Sequence, residues 1–131
     1  MSVDREFEVV VSAGSLRSDH GVVMPHRWTP EGVVVEADFT GAHLYHLAAA
    51  GCVLNDVYRE AGRLGLHIDG VRVCASGGFD TSTWASTGVE YDVEVAASAD
   101  DAEIDRLITI VDDVAEIPKA LRVGTTVVRS P

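Results

Sequence analysis

The stretch GAHLYHLAAAGCVLNDVYREAGRL, residues 41–64, decides the fold. Apolar and small residues recur in it at steps of three and four, the spacing of one face of an α-helix. Thr40 is placed to cap the start of this helix, and the sequence GRLG supplies glycines to end it. We therefore predict a long central helix that carries Cys52 in its middle. The apolar positions are Leu44, Leu47, Ala48, Gly51, Leu54, Tyr58 and Ala61.

β-like runs lie on both sides of this helix. REFEVVVSAG predicts a first strand, and HGVVMPHRW and GVVVEAD predict a second and third that are joined by a turn at TPEG. After the helix, HIDGVRVCASG and STGVEYDVEVAAS predict two more strands. The last of these alternates apolar and acidic residues, which is typical of a sheet with one face in water.

The rest of the chain predicts a second helix and a closing strand. Asp100 and Glu103 have the spacing of a capping box, and Pro118 is expected to end the helix that follows. RVGTTVVRS then predicts a strand. The order βββ-α-ββ-α-β keeps strands in blocks, which predicts one α+β domain over residues 1–131 with antiparallel pairing. The apolar stripe of the second helix is Ile104, Leu107, Ile108, Val111, Val114 and Ala115.

Composition narrows the partners and the compartment. The chain has 131 residues, 47% of them apolar, and a net charge of -11. This acidic balance argues against nucleic acid and anionic membranes, which both bind Lys and Arg. With two cysteines, no leader-like N-terminus and no bilayer-length apolar run, we expect a soluble, cytoplasmic protein. A chain of this size gains stability by burying an apolar face against a copy of itself, so we also expect a homodimer.

Cys52 is the leading candidate for chemistry. A reactive cysteine needs a helix N-terminus, a cation or a hydrogen-bond donor to stabilise its thiolate. Cys52 lies well past the first turn, and its helix neighbours are Ala48, Ala49, Asn55 and Asp56. Activation must therefore come from another segment or another subunit; otherwise the thiol packs as a small apolar side chain. Cys74 is interpreted as an ordinary strand residue on the face opposite Val71 and Val73.

Motifs for metals and cofactors are missing from the sequence. His20, His26, His43 and His46 are not part of HExxH or CxxC patterns, so we predict no metal site and interpret them as solvated or interface residues. The glycine turns SAGS and ASGGF do not match GxGxxG or GxxxxGK[ST], so we expect no nucleotide or other cofactor.

The residues quoted so far resemble the OsmC/Ohr family, named for osmotically inducible protein C and the organic hydroperoxide resistance protein. The similarity lies in GAHLYHLAAAGCVLNDVYREAGRLGLHIDGVRV, GVEYDVEV, AEIPKAL and GTTVV, and it covers nearly the whole chain. It implies an intertwined homodimer in which two central helices pack against sheets from both chains. In the peroxidases of this family a helix cysteine attacks the hydroperoxide, a second cysteine resolves the sulfenic acid, and an arginine with a glutamate tunes the thiolate. By position, Cys52 is similar to the attacking cysteine.

The chain departs from the family pattern at two places. Ile117 stands before Pro118 where the family has its resolving cysteine, and Gly41-Ala42 stands where the hydroperoxidase branch has Pro-Glu. Arg17 is a stand-in for the family arginine, and Arg27 is the alternative.

Two functions stay open from sequence. The first is a one-cysteine thiol peroxidase, in which Cys52 reduces small hydrophobic peroxides with Arg17 or Arg27 as the cation and an external thiol as the reductant. The second is a catalytically inactive homodimer of the same fold that binds a small hydrophobic ligand or serves assembly. We expect the chain to be closer to a degenerate peroxidase than to an efficient enzyme.

Overall fold

Five antiparallel strands form one sheet in the computed structural model, which describes residues 5–131. The strand order across the sheet is β2-β3-β1-β4-β5. The first strand therefore lies at the centre, paired with β3 on one side and β4 on the other. The strands are β1 (Val9–Gly14), β2 (Val22–His26), β3 (Thr29–Glu36), β4 (Ile68–Ser76) and β5 (Glu90–Ala97).

The structure has three helices, and the first two begin at the predicted capping signals. The central helix α1 (Gly41–Leu64) begins where the Thr40 hydroxyl accepts a hydrogen bond from the His43 N–H, and it ends at Gly65 in the left-handed conformation. The second helix α2 (Asp101–Val114) carries the predicted capping box of Asp100 and Glu103. A third helix α3 (Glu116–Val123) follows at once. The α+β class predicted from sequence is thus confirmed.

The core lies between α1 and one face of the sheet. Alternate residues of β1 and β4 point into it, including Val9, Val11, Val71 and Val73. Cys74 faces the other way, as predicted, and accepts a hydrogen bond from the Arg72 guanidinium at 3.2 Å. Among residues 5–131, no helix is both long and apolar enough to cross a membrane.

The buried face of α1 differs from the predicted stripe. Its most buried residues include Ala50, Val53 and Val57, which belong to the core shared with the sheet. The predicted positions Leu44 and Ala48 are instead exposed, because α1 is apolar on more than one side and its own sheet covers only part of it. The single chain therefore leaves one apolar side of its central helix open.

Three local predictions were wrong. The first hairpin turns at Arg27-Trp28, and TPEG lies inside β3, because a bulge opposite β2 with Gly32 at φ 83° accommodates it. Pro118 does not end a helix: it occupies the first turn of α3, where a missing N–H costs nothing. No strand forms in residues 124–131, and Val127 and Val128 are exposed, because no sheet edge in this chain lies alongside them to pair their backbone groups.

Candidate active site around Cys52

Cys52 lies in the middle of α1 and is almost fully buried, with 8% of its surface exposed. Within residues 5–131 its polar neighbours include the Glu116 carboxylate, within 4.8 Å of the sulfur, and two atoms at shorter distance. The Asp56 carboxylate, one turn further along the helix, has its Oδ2 3.9 Å from Sγ. The Ile117 backbone N–H, in the first turn of α3, donates to Sγ at 3.5 Å. The contact with Ile117 places the residue before Pro118 directly beside the cysteine.

This environment disfavours the thiolate. Burial raises the pKa of the Cys52 thiol from 9.0 to about 11, and the negative charges of Asp56 and Glu116 add to the rise. The Ile117 N–H opposes this rise without cancelling it. Among residues 5–131, no guanidinium lies within hydrogen-bonding distance of Sγ. At neutral pH Cys52 is therefore a protonated thiol in the single chain.

A network of ion pairs begins at Asp56. Asp56 is fully buried, and burial raises the pKa of its carboxyl. The Arg59 guanidinium donates to Asp56 Oδ2 at 3.0 Å, to Glu60 Oε2 at 3.0 Å and to Glu116 Oε2 at 3.5 Å. Arg59 thus joins α1 to the start of α3 and supplies the positive charge that the buried carboxylate requires.

A second chain of hydrogen bonds ties Asp56 to the first hairpin. The Asn55 amide donates to Asp56 Oδ1 at 3.1 Å, and its carbonyl oxygen lies 3.2 Å from His26 Nε2. The other nitrogen of His26, Nδ1, lies 2.8 Å from the Thr29 hydroxyl. These contacts fix the orientation of the carboxylate that lies beside the sulfur.

The arginines proposed from sequence lie elsewhere. Arg17 is exposed in the turn after β1, where its backbone N–H bonds to Gly14, and no hydrogen bond joins its side chain to Cys52 in this chain. Arg27 lies over the ring of Trp28, 5.4 Å from its centroid. A role for either arginine beside the sulfur, supplied by another subunit, stays a prediction.

The remaining histidines contact different groups. His20 pairs with Asp19 and Glu36 at the surface, and His43 bonds to the Thr40 hydroxyl. The interpretation of His46 as a solvated or interface residue was wrong, because it is fully buried within the chain and donates through Nδ1 to the Ala42 carbonyl at 2.7 Å. The structure thus distributes the histidines over separate contacts.

An apolar groove of about 400 Å³ opens beside Cys52's helix. The exposed side of α1 forms one wall, through residues such as Leu44, Leu47 and Gly51, and β1 and β3 form the other through Val11 and Val33. This groove coincides with the apolar stripe that the sequence predicted to be buried.

Comparison with known proteins agrees with this architecture. A family model described as OsmC-like protein matches residues 35–129, which include the whole of α1 together with Arg59 and Glu116. The chain belongs to the OsmC family. The resemblance predicted from sequence is thereby confirmed.

An OsmC-like hydroperoxide resistance protein from Jannaschia sp. CCS1 shares the fold. The two superpose with a TM-score of 0.51 at 15% sequence identity, over 93% of this chain and 91% of that one. No curated protein sequence matches this chain. At this level of sequence identity, the similarity shows only that the two proteins share the OsmC fold.

Sequence reasoning missed part of this OsmC-family site. Arg59 and Glu60 follow Asp56 on the same helix, and an Asp-Arg pair three residues apart on a helix signals an ion pair. Glu116 gives no such signal, because its approach to Asp56 depends on how α3 packs against α1.

Proposed function

We propose that this chain is a divergent OsmC-family protein in which Cys52 reduces hydroperoxides slowly, through a one-cysteine cycle, rather than as an efficient peroxidase. The observation that carries this proposal is the composition of the shell around Sγ. Its polar groups include the Asp56 carboxylate at 3.9 Å, the Glu116 carboxylate within 4.8 Å and the Ile117 backbone N–H at 3.5 Å. Hydroperoxide attack requires the thiolate, and this shell favours the thiol.

The resolving step needs a second molecule. Cys52 thiolate attacks the O–O bond, so the cysteine becomes a sulfenic acid and the hydroperoxide leaves as an alcohol after taking up a proton. Ile117 lies beside the sulfur but carries no thiol to condense with it. An external thiol therefore forms a mixed disulfide with Cys52 and releases water. A second external thiol attacks this disulfide, so the two external thiols leave as their own disulfide and Cys52 is restored as the thiol.

Hydroperoxide consumption tests this proposal. Wild type, Cys52→Ser and the matched control Cys74→Ser are assayed with tert-butyl and cumene hydroperoxide, using dithiothreitol or a dihydrolipoyl donor. We expect a slow rate that rises about tenfold per pH unit above neutrality, is kept in Cys74→Ser and is lost in Cys52→Ser. A fast rate already independent of pH near 7 would overturn the proposal, and equal rates in wild type and Cys52→Ser would remove the peroxidase role.

We also propose that the chain acts as a homodimer in a reducing compartment, which we expect to be the cytoplasm. The open side of α1 and the edge strand β2 together expose apolar surface, with Val22, Val23 and Met24 each more than half exposed. Patches of this kind mark interfaces. Both cysteines are free thiols, as expected in a reducing compartment. Light scattering should give about 28 kDa, twice the 14.0 kDa chain, and a stable monomer would contradict the dimer.

The groove favours a second candidate function, binding of a small hydrophobic molecule. Its walls are mainly aliphatic, and His26 and Asn55 add a few polar groups to the lining. An environment-sensitive hydrophobic dye should bind the native protein and be displaced by ligands of the size of cumene. Gly51→Leu adds bulk to one wall of the groove and should weaken dye binding. Equal dye binding by wild type and Gly51→Leu would exclude this groove as the ligand-binding site.

A further inference from the structure

The Cys52 site brings together three side chains of a kind that bind metal ions. Cys52 Sγ and carboxylate oxygens of Asp56 and Glu116 all lie within 4.8 Å of one another. Cys52 and Asp56 are four residues apart on α1, so both project from the same face of the helix, and Glu116 begins α3. Two ligands one helical turn apart with a third from another element is a common plan of zinc sites.

The distances suit a small cation. Zinc bonds of about 2.3 Å to sulfur and 2.0–2.2 Å to oxygen place tetrahedral ligand atoms about 3.5 Å apart. Sγ and Asp56 Oδ2 are already 3.9 Å apart. Glu116 is the most exposed of the three, with 60% of its side chain accessible, so it can close the remaining distance by rotating. Its exposure also gives the ion a path from solvent, and leaves a fourth position for water.

The charges of the site leave room for a divalent ion. A Cys52 thiolate, Asp56, Glu116 and the neighbouring Glu60 would carry four negative charges, and Arg59 and Arg63 supply two positive charges against them. A divalent cation balances the remaining two. Hydrogen bonds from Asn55 and Arg59 hold the Asp56 carboxylate in place, as outer contacts do at metal centres.

We propose that Cys52, Asp56 and Glu116 bind a thiophilic divalent cation of the zinc class. Binding forms a sulfur–metal bond and breaks the S–H bond, the proton goes to solvent, and no electrons are transferred. The thiolate selects zinc, cobalt or cadmium over the harder magnesium and calcium ions. The inference rests on the proposed function only in that both require Asp56 and Glu116 to lie beside the sulfur. It gives that site a ligand which the sequence, lacking any metal motif, did not predict.

Cobalt binding to the metal-free full-length protein tests the site. Co²⁺ should bind one ion per chain with a near-ultraviolet sulfur-to-cobalt charge-transfer band, and Zn²⁺ should displace it. Cys52→Ser should lose the band, and Asp56→Asn and Glu116→Gln should bind at least about tenfold more weakly. The controls Cys74→Ser and Asp113→Asn, the latter on an exposed carboxylate of α2, should bind as wild type does. A wild-type chain without the band, or a band that survives in Cys52→Ser, overturns the proposal.

X-ray absorption of the zinc-loaded wild type keeps the test independent of whether variants fold. We expect one sulfur at about 2.3 Å and the other ligands to be oxygen. A spectrum with imidazole scattering and no sulfur would show binding at surface histidines and overturn the site. Hydroperoxide consumption by the metal-free protein separates the two proposals: a slow rate without metal binding overturns only the metal site, whereas a fast rate overturns the proposed function.

Discussion

Removal of the carboxylates beside Cys52 should make its thiol more acidic. The pKa of Cys52 is raised from 9.0 to about 11, a difference of about 3 kcal/mol in favour of the protonated form. At pH 8 this leaves about one thiol in a thousand ionised, against about one in ten for an ordinary thiol. Burial is the largest cause, so the double variant Asp56→Asn, Glu116→Gln should recover part of the shift, roughly three- to tenfold in thiolate.

Alkylation by iodoacetamide measures this directly. Peptide mass spectrometry reads Cys52 and Cys74 separately in one sample from pH 7 to 10.5, so the second thiol serves as an internal reference. The midpoint of the pH profile reports the pKa, and its plateau reports access to the sulfur, which keeps the two effects apart. Wild-type Cys52 should show no plateau in this range, and the double variant should shift to lower pH.

Two results would refute the reasoning. A wild-type midpoint at or below 9 would mean that some positive group reaches the sulfur in the assembled protein. A midpoint unchanged in the double variant, with Asp113→Asn as the matched surface control, would mean that the carboxylates do not act on the thiol. The first result would show that Cys52 is activated in the assembled protein. The second would show that its ionisation is independent of Asp56 and Glu116.

Other predictions follow from the same contacts. Ile117→Cys places a second thiol beside Cys52, so hydroperoxide should oxidise the two cysteines to a disulfide. Mass spectrometry should show the loss of both free thiols and a mass lower by two units. If both thiols persist, the contact between residue 117 and Cys52 is contradicted. Below pH 9.0 the Cys52 thiol is protonated in both the folded and the unfolded state, whereas between pH 9.0 and about 11 it ionises only in the unfolded state. Over this pH range wild type should therefore lose up to about 3 kcal/mol of unfolding free energy relative to Cys52→Ser. Urea unfolding at each pH measures this difference. Leu107 is fully buried in the core, so Leu107→Ala should lower the free energy of unfolding in urea by about 2–5 kcal/mol. Val127 is 87% exposed, so Val127→Ala should change it by less than about 0.5 kcal/mol. Equal effects of the two variants would contradict the packing.

Local signals in the sequence were enough for most of the fold. Helix caps are formed by residues three or four apart, so Thr40 and Asp100 were identified correctly. Alternation within β5 likewise depends on neighbouring residues alone. The hairpin turn was misplaced because the bulge at Gly32 depends on pairing with β2, which the sequence of either strand does not show. The closing strand failed for a similar reason, since a strand exists only where another edge pairs with it.

The sequence by itself determined the α+β class, the family, the central helix and the position of Cys52 on it, because each depends on periodicity and on motifs along the chain. The environment of the sulfur was decided by tertiary structure. Glu116 lies sixty-four positions after Cys52, and only the packing of α3 against α1 brings its carboxylate to within 4.8 Å of the thiol. The ionisation of a buried thiol depends on charges within a few ångströms, whatever their distance along the chain. The chemistry of Cys52 is therefore a property of the fold.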